Sequence, residues 1–157
     1  MTTIPTNISR LGIRSILIDT GVLLRYGVKS DPRDSEMIEF VNRLADEGYE
    51  ICCAAQSLRE MWNVLTRPVT GNGYGIDTVT TATVVISVRA TFFVLHDGPE
   101  TYREWGSLVE RYEVQGKNVH DTSLVATAVA HGVQHLATLN ERDFRRFSEI
   151  TLVPVVS

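Results

Sequence analysis

Four acidic residues lie at points where apolar stretches of the chain give way to polar ones. They are Asp19 after ILI, Glu60 in SLRE, Asp121 in NVHD and Asp143 in NERD. Gathered on one edge of a fold, four carboxylates from separate segments would repel one another strongly unless a hard divalent cation neutralised them. Magnesium or manganese suits such oxygen donors. The reaction to expect at a site of this kind is phosphodiester hydrolysis, in which the cation acidifies and positions a water and shields the charge developing on phosphorus. Zinc is a poor fit, because the chain has neither a His-x-x-x-His pair with an accompanying glutamate nor a cysteine cluster.

The elements that must position these acids follow from periodicity. Residues 13–20 form a short β-branched run that predicts a buried strand closed by Asp19. Residues 34–47 place Met37, Ile38, Val41, Leu44 and Ala45 on one helical stripe, with Gly48 as its stop. A strand is expected over 49–55. A helix should follow from Ser57, where Ser-x-x-Glu has the form of a capping box that puts Glu60 in a first turn; Pro68 ends it by Arg67. VTGNGYG reads as a loop and the Thr- and Val-rich segment 78–90 as a helix.

Further on, 91–95 predicts a strand, and 99–112 a helix with Tyr102, Trp105, Leu108, Val109 and Tyr112 on its inward stripe. Asn118 would cap a helix reaching His131, with Asp121 in its first turn and Leu124, Val125, Ala128 and Val129 inward. Residues 133–139 read as a strand, 140–147 as a turn and short helix, and 150–156 as an edge strand interrupted by Pro154. Strands alternating with helices predict an α/β fold, a three-layer sandwich with a mostly parallel central sheet, built as a single domain over 1–157. In such sheets functional groups gather beyond the carboxyl ends of the strands, which is where all four acids fall.

Composition narrows the function. The chain has 157 residues, 43% hydrophobic and 22% charged, close to an average globular protein and sufficient for one core. No apolar run approaches the roughly 18 residues needed to cross a bilayer, and the first dozen residues lack a basic segment leading into a hydrophobic one, so no membrane association and a cytoplasmic location are expected. Cys52 and Cys53 are neighbours in an apolar strand, pointing to opposite faces, and read as packing residues. The net charge of -4 argues against a protein that wraps nucleic acid non-specifically, although carboxylates gathered into a cation site would themselves make the total acidic.

Each acid also has an ordinary reading. Glu60 is what a capping box needs by itself, Asp121 would be favoured by a helix dipole, and Asp143 suits a turn. Asp19 is harder to explain that way, since an unpaired carboxylate at the end of a buried strand is costly. Asp19-Thr20-Gly21 spells the aspartic-protease tripeptide, but that chemistry takes two such carboxylates in an all-β setting. A phosphatase or receiver-like use of Asp19 lacks the second aspartate two residues on, where Gly21 stands. GNGYG lacks the Lys and Ser/Thr of a phosphate-binding loop. His131 and His135 are separated by Gly132 and do not share a helix face. Arg142, Arg145 and Arg146 beside Asp143 are placed to grip RNA phosphate by bidentate contacts, with solvated turn charges as the alternative, and His120 is the histidine placed to touch substrate.

Taken together, ILIDTGVLLR, AAQSLREMWNVLTRP with the NGYG loop, GKNVHDTSLVATAVAHGV and LATLNERDF resemble the PIN-domain ribonucleases, and among them the VapC toxins of bacterial toxin–antitoxin pairs, along nearly the whole chain. The resemblance implies a three-layer α/β fold, a Mg²⁺- or Mn²⁺-dependent endoribonuclease acting on RNA, a VapB-type antitoxin and a homodimer. It puts the family's acidic quartet on Asp19, Glu60, Asp121 and Asp143, with Asp19 and Asp121 the principal metal ligands, and it makes Thr20, Thr138 and Asn140 supporting polar groups. Gly21 departs from the family pattern, which has Asn or Ser at that position, so a possible hydrogen-bonding side chain is lost without touching a ligand. The competing expectation is a catalytically weak PIN-like module that docks an antitoxin or RNA without turnover, slightly favoured by Gly21 and the acidic balance.

Overall fold

The computed structural model describes residues 14–28 and 33–155. Its strands are β1 (Ser15–Ile18), β2 (Glu50–Ala54), β3 (Phe93–Leu95), β4 (His135–Ala137) and β5 (Thr151–Val153). Its helices are α1 (Thr20–Gly27), α2 (Asp34–Asp46), α3 (Ala55–Thr66), α4 (Thr78–Thr91), α5 (Pro99–Arg111), α6 (Asn118–Ala130) and α7 (Glu141–Phe144). The strands form one parallel sheet in the order β3-β2-β1-β4-β5. β5 lies at the edge, as Pro154 predicts.

The strands are short and mostly apolar, with polar residues confined to their first positions, and both faces of the sheet are covered by helices. Ile16, Ile18, Cys53 and Ala137 point to one side and pack under α1 to α4, among Leu23, Met37, Leu44, Met61 and Val88. Leu17, Cys52, Ala54 and Leu136 point to the other and pack under α5 to α7, among Leu108, Val125, Ala128 and Phe144. This is the expected three-layer sandwich, with the two cysteines buried on opposite faces. No helix among the described residues is long and apolar enough to cross a membrane.

Several details depart from expectation. Ile38 and Ala45, expected on the inward stripe of α2, are exposed, and Phe40 is buried in their stead. The segment after Asp19 is a helix, α1, because Asp19 is itself an N-cap whose Oδ1 accepts from the Val22 backbone N–H over 3.2 Å. β1 is correspondingly shorter than 13–20, and residues 13 and 156, at the outer ends of the first and last predicted strands, lie outside the described residues. α3 starts at Ala55, two residues before Ser57, straight from β2 and without a side-chain cap. The capping box is therefore not formed: Ser57 Oγ is buried without a partner, and Glu60 lies in the second turn, bonded elsewhere. Asn118 falls inside α6 rather than at its cap. Tyr102 is 72% exposed, since Thr101 and Leu108 are the residues α5 buries.

Candidate active site

The strand order runs outward from β1 in both directions, to β2 and β3 on one side and to β4 and β5 on the other. This makes the carboxyl ends of β1 and β4 the topological switch point, the place where an open parallel sheet leaves a crevice. Ile18 is in register with Ala137, and the backbone N–H of Asp19 donates to the Ala137 carbonyl over 3.1 Å. Asp19 therefore leaves the end of β1 directly beside Thr138 at the end of β4. Thr138 Oγ1 donates to Asp19 Oδ2 and accepts in turn from the Asn140 backbone N–H over 3.0 Å. Asn140 Nδ2 donates to Asp143 Oδ2. One short segment after β4 thus holds two of the four carboxylates.

The other two come from helices on opposite layers. Glu60, on α3, accepts from Thr20 Oγ1 at Oε2 over 2.7 Å and from Gln56 Nε2 at Oε1 over 2.8 Å. The same Gln56 amide group donates to the His120 carbonyl over 3.1 Å, which ties α3 to the first turn of α6, where Asp121 stands. Sequence reasoning missed Gln56. The signal available was its i, i+4 relation to Glu60, which places both on one helix face. His120 contributes its carbonyl here while the residue as a whole is exposed.

Electrostatics shows how closely the acids share the edge. Burial pushes the Asp19 carboxyl above its ordinary range, opposed by the hydrogen bonds from Thr138 and from the Val22 and Gly21 backbone N–H groups, and by the positive charge of Arg25. Asp121 is raised by burial first and then by the negative charges of Asp143, Asp19 and Glu60, with His120 opposing. The other three acids of the quartet thus all act on Asp121. They are not drawn into a ready-made cage: among the described residues no three His, Cys, Asp or Glu side chains are grouped closely enough to hold a metal ion by themselves.

Arg25 enters the site from α1, its guanidinium donating to the Gly21 carbonyl over 3.2 Å. A cavity of about 370 Å³ opens next to the edge, lined among others by Thr138, Asn140, Arg142 and Arg145. Arg146 does not line it and sits over the Phe147 ring, 6.0 Å from the centroid.

The PIN domain family model matches residues 16–150. No protein of curated function matches the sequence. Among solved structures the fold is similar to VapBC2 from Rickettsia felis bound to a DNA fragment from its promoter, with a TM-score of 0.67 and 15% identity over 89% of this chain and 98% of that one. It is similar to DNA-bound VapBC from Salmonella typhimurium, with a TM-score of 0.67 and 17% identity over 91% of this chain and 99% of that one. VapC20 of Mycobacterium tuberculosis, a sarcin-ricin loop cleaving toxin, matches with a TM-score of 0.57 and 20% identity over 86% of this chain and 98% of that one. At these identities the likeness is one of fold. The family match, by contrast, runs through all four acids and through β1 and β4, between which the crevice opens, and the chain belongs to the PIN-domain family.

Proposed function

We propose that this chain is a VapC-type toxin, an endoribonuclease that hydrolyses RNA phosphodiesters with Mg²⁺ or Mn²⁺ at Asp19, Glu60, Asp121 and Asp143. The observation that carries the reading is the convergence beyond the carboxyl ends of β1 and β4: Asp19 is bonded by Thr138, Asp143 by Asn140 from the same segment, and Glu60 by Thr20 and by Gln56, which also ties α3 to the first turn of α6 where Asp121 stands. A site that concentrates like charge this way stores a cost that a hard cation relieves. The donor set fits that cation: every candidate ligand is an oxygen, and Mg²⁺ commonly takes one or two carboxylates with waters and substrate phosphate rather than an all-protein cage, in keeping with the absence of a preformed cluster.

In this reading Asp19 and Asp121 are the principal ligands, with Glu60 and Asp143 completing the negative edge. Thr138 and Thr20 fix the Asp19 and Glu60 carboxylates by donating to them, and Asn140 does the same for Asp143. When bound, the cation supplies an acidified water as nucleophile and charge shielding at phosphorus. Arg145, with the exposed His120, is read as an RNA contact, whereas Arg146 sits over the Phe147 ring and is left out of that set.

The proposed partners are a VapB-type antitoxin and a second copy of the chain, in the cytoplasm. Support comes from the VapBC complexes of the same fold, and from Val79 and Ile86, apolar residues on one face of α4 that remain exposed. The second reading, a PIN-like module that docks without turnover, draws on Gly21 and on the acidic balance of the chain.

The test is incubation of antitoxin-free protein with a mixed pool of structured RNAs in Mg²⁺ or Mn²⁺, in parallel with EDTA and with an Asp19→Asn, Asp121→Asn double variant. Cleavage by the unsubstituted protein only with metal, leaving 5′-phosphate and 3′-hydroxyl ends, is the expected result. A 2′,3′-cyclic phosphate product overturns the metal-water chemistry, and a folded protein that binds RNA without cutting any of the pool favours the docking module.

A further inference from the structure

We infer that the cavity beside the acidic edge is a subsite for a nucleotide flanking the bond to be cut, its phosphate held by Arg142 and Arg145. The identity of the ligand rests on the ribonuclease reading above; the shape and charge of the subsite do not. Thr138 and Asn140 line the cavity and also bond the Asp19 and Asp143 carboxylates, so the cavity and the acidic edge share a wall. A chain whose scissile phosphate sits at the acids has its next unit within reach of this space. At about 370 Å³ the cavity is within the range of ligand pockets, which run from roughly 300 to 1,000 Å³.

Its lining suits the two halves of a nucleotide. Leu139, Pro154 and Val155 supply an apolar wall for a base, while Arg142 and Arg145 supply planar guanidinium groups for a phosphate. Glu141 also lines the cavity, but its carboxylate is 3.8 Å from Arg145, a long pair on a side chain that is 71% exposed, and exposed pairs of this kind neutralise little. Arg142 makes no ion pair among the described residues. The cavity thus carries two cations against one acid, beside an edge that is otherwise negative. That arrangement sets a phosphate away from the carboxylates. Arg146, turned onto Phe147, is not part of the subsite.

The test is binding of a fluorescein-labelled single-stranded oligoribonucleotide, followed by anisotropy over a series of salt concentrations, in EDTA and again in Ca²⁺. The full chain is compared with Arg142→Gln/Arg145→Gln and with Arg146→Gln, all three checked for equal melting temperature. Removing two phosphate contacts should weaken binding several-fold at low salt and reduce the slope of log K against log salt by about 1.4, from about 0.7 per contact on a single strand. Arg146→Gln should leave the slope unchanged. The subsite is overturned by an unchanged slope in the double variant, by an equal fall in Arg146→Gln, or by the absence of saturable binding to the unsubstituted protein in both buffers. If the double variant loses affinity for an acidic peptide and not for RNA, the cavity belongs to a protein partner and the proposal fails. Metal-dependent cleavage with an unchanged slope leaves the nuclease standing without the subsite, whereas a reduced slope without any cleavage leaves an RNA subsite on a protein that is not a nuclease.

Discussion

Thr20 Oγ1 donates to Glu60 Oε2 over 2.7 Å, joining the first residue of α1 to the second turn of α3 from 40 residues away in sequence. The bond fixes which way a carboxylate on one helix faces relative to Asp19, one residue before Thr20. Replacing Thr20 by Val keeps the shape and removes the donor, whereas Ser keeps the donor. For Thr20→Val, Mn²⁺ affinity by titration calorimetry should fall by roughly 10–100-fold, the usual cost of losing an outer partner of a metal ligand, and Thr20→Ser should stay close to the starting value. Equal affinities for Val and Ser would mean that Glu60 needs no such positioning.

Gln56 performs a related task between two helices, bonding Glu60 and the His120 carbonyl with one amide group. Gln56→Ala removes that donor and should weaken Mn²⁺ binding. Gln56→Glu also loses the donor but adds a negative charge beside the cation, so it should lose less, and less still as pH rises and the new acid ionises. Measured affinities in the reverse order, or with no pH dependence, would show that Gln56 only packs.

Much of this arrangement was legible in the sequence, and what was not has physical reasons. Strand–helix alternation gave the sheet and its layers because each strand is a short, largely apolar run between turn signals. α1 was hidden because Thr20-Gly21-Val22-Leu23-Leu24 continues the apolar run of β1, and nothing but the cap at Asp19 separates strand from helix. The Ser57 capping box misled because α3 springs straight from β2, and tertiary partners, Thr20 and Gln56, took the Glu60 carboxylate that a local cap would have used. The four acids could be singled out by position, but the hydrogen bonds that hold them come from residues up to 119 positions away and were readable only where the family resemblance marked Thr20, Thr138 and Asn140.

The like charge around Asp121 makes a prediction about stability. Its carboxyl lies above the ordinary range through burial first and then through Asp143, Asp19 and Glu60. A carboxyl whose pKa is higher folded than unfolded binds more protons in the folded chain within that window. The metal-free protein therefore loses stability as pH rises from the ordinary carboxylate range through the raised value, and the cost is complete above it. Asp121→Asn removes the cost, so in EDTA its melting temperature should exceed that of the unsubstituted protein at pH 7, by roughly 2–4 °C for each kcal/mol relieved, with the gap closing toward pH 4. A variant less stable than its parent at pH 7 would show that the charges are not in tension.

Gly21 occupies the first turn of α1, where a glycine costs backbone entropy without a turn that requires it. A Cβ there would stand 3.5 Å from Asp19 Oδ1 and 3.6 Å from an Arg25 guanidinium nitrogen, both ordinary contacts. Gly21→Ala should therefore stabilise the chain, by up to about 1 kcal/mol in urea unfolding. Gly21→Asn restores the family's usual residue, and its polar side chain would lie beside both Asp19 and Arg25. If Gly21 limits turnover, Gly21→Asn should cleave RNA faster than Gly21→Ala at equal stability. Equal rates would remove Gly21 from any account of low activity.

Cys52 and Cys53 test the rigidity of the sheet that holds the acids. They are consecutive on β2, fully buried, and packed into opposite cores. Burial pushes both thiols up to about 12, with the charges of Glu50 and Cys53 adding to the effect at Cys52. Neither supplies thiolate at neutral pH, and neither is reachable without opening the strand. A colourimetric disulfide reagent at pH 8 should therefore leave both unmodified in the native protein and label both at one rate once denaturant is added. β2 lies between β1 and β3, so it cannot expose one face alone without breaking a ladder on one side or the other. Fast labelling of one cysteine in the native state would mean that β2 opens locally, and the carboxylates of Glu60 and Asp19 would then rest on a movable support rather than a fixed one.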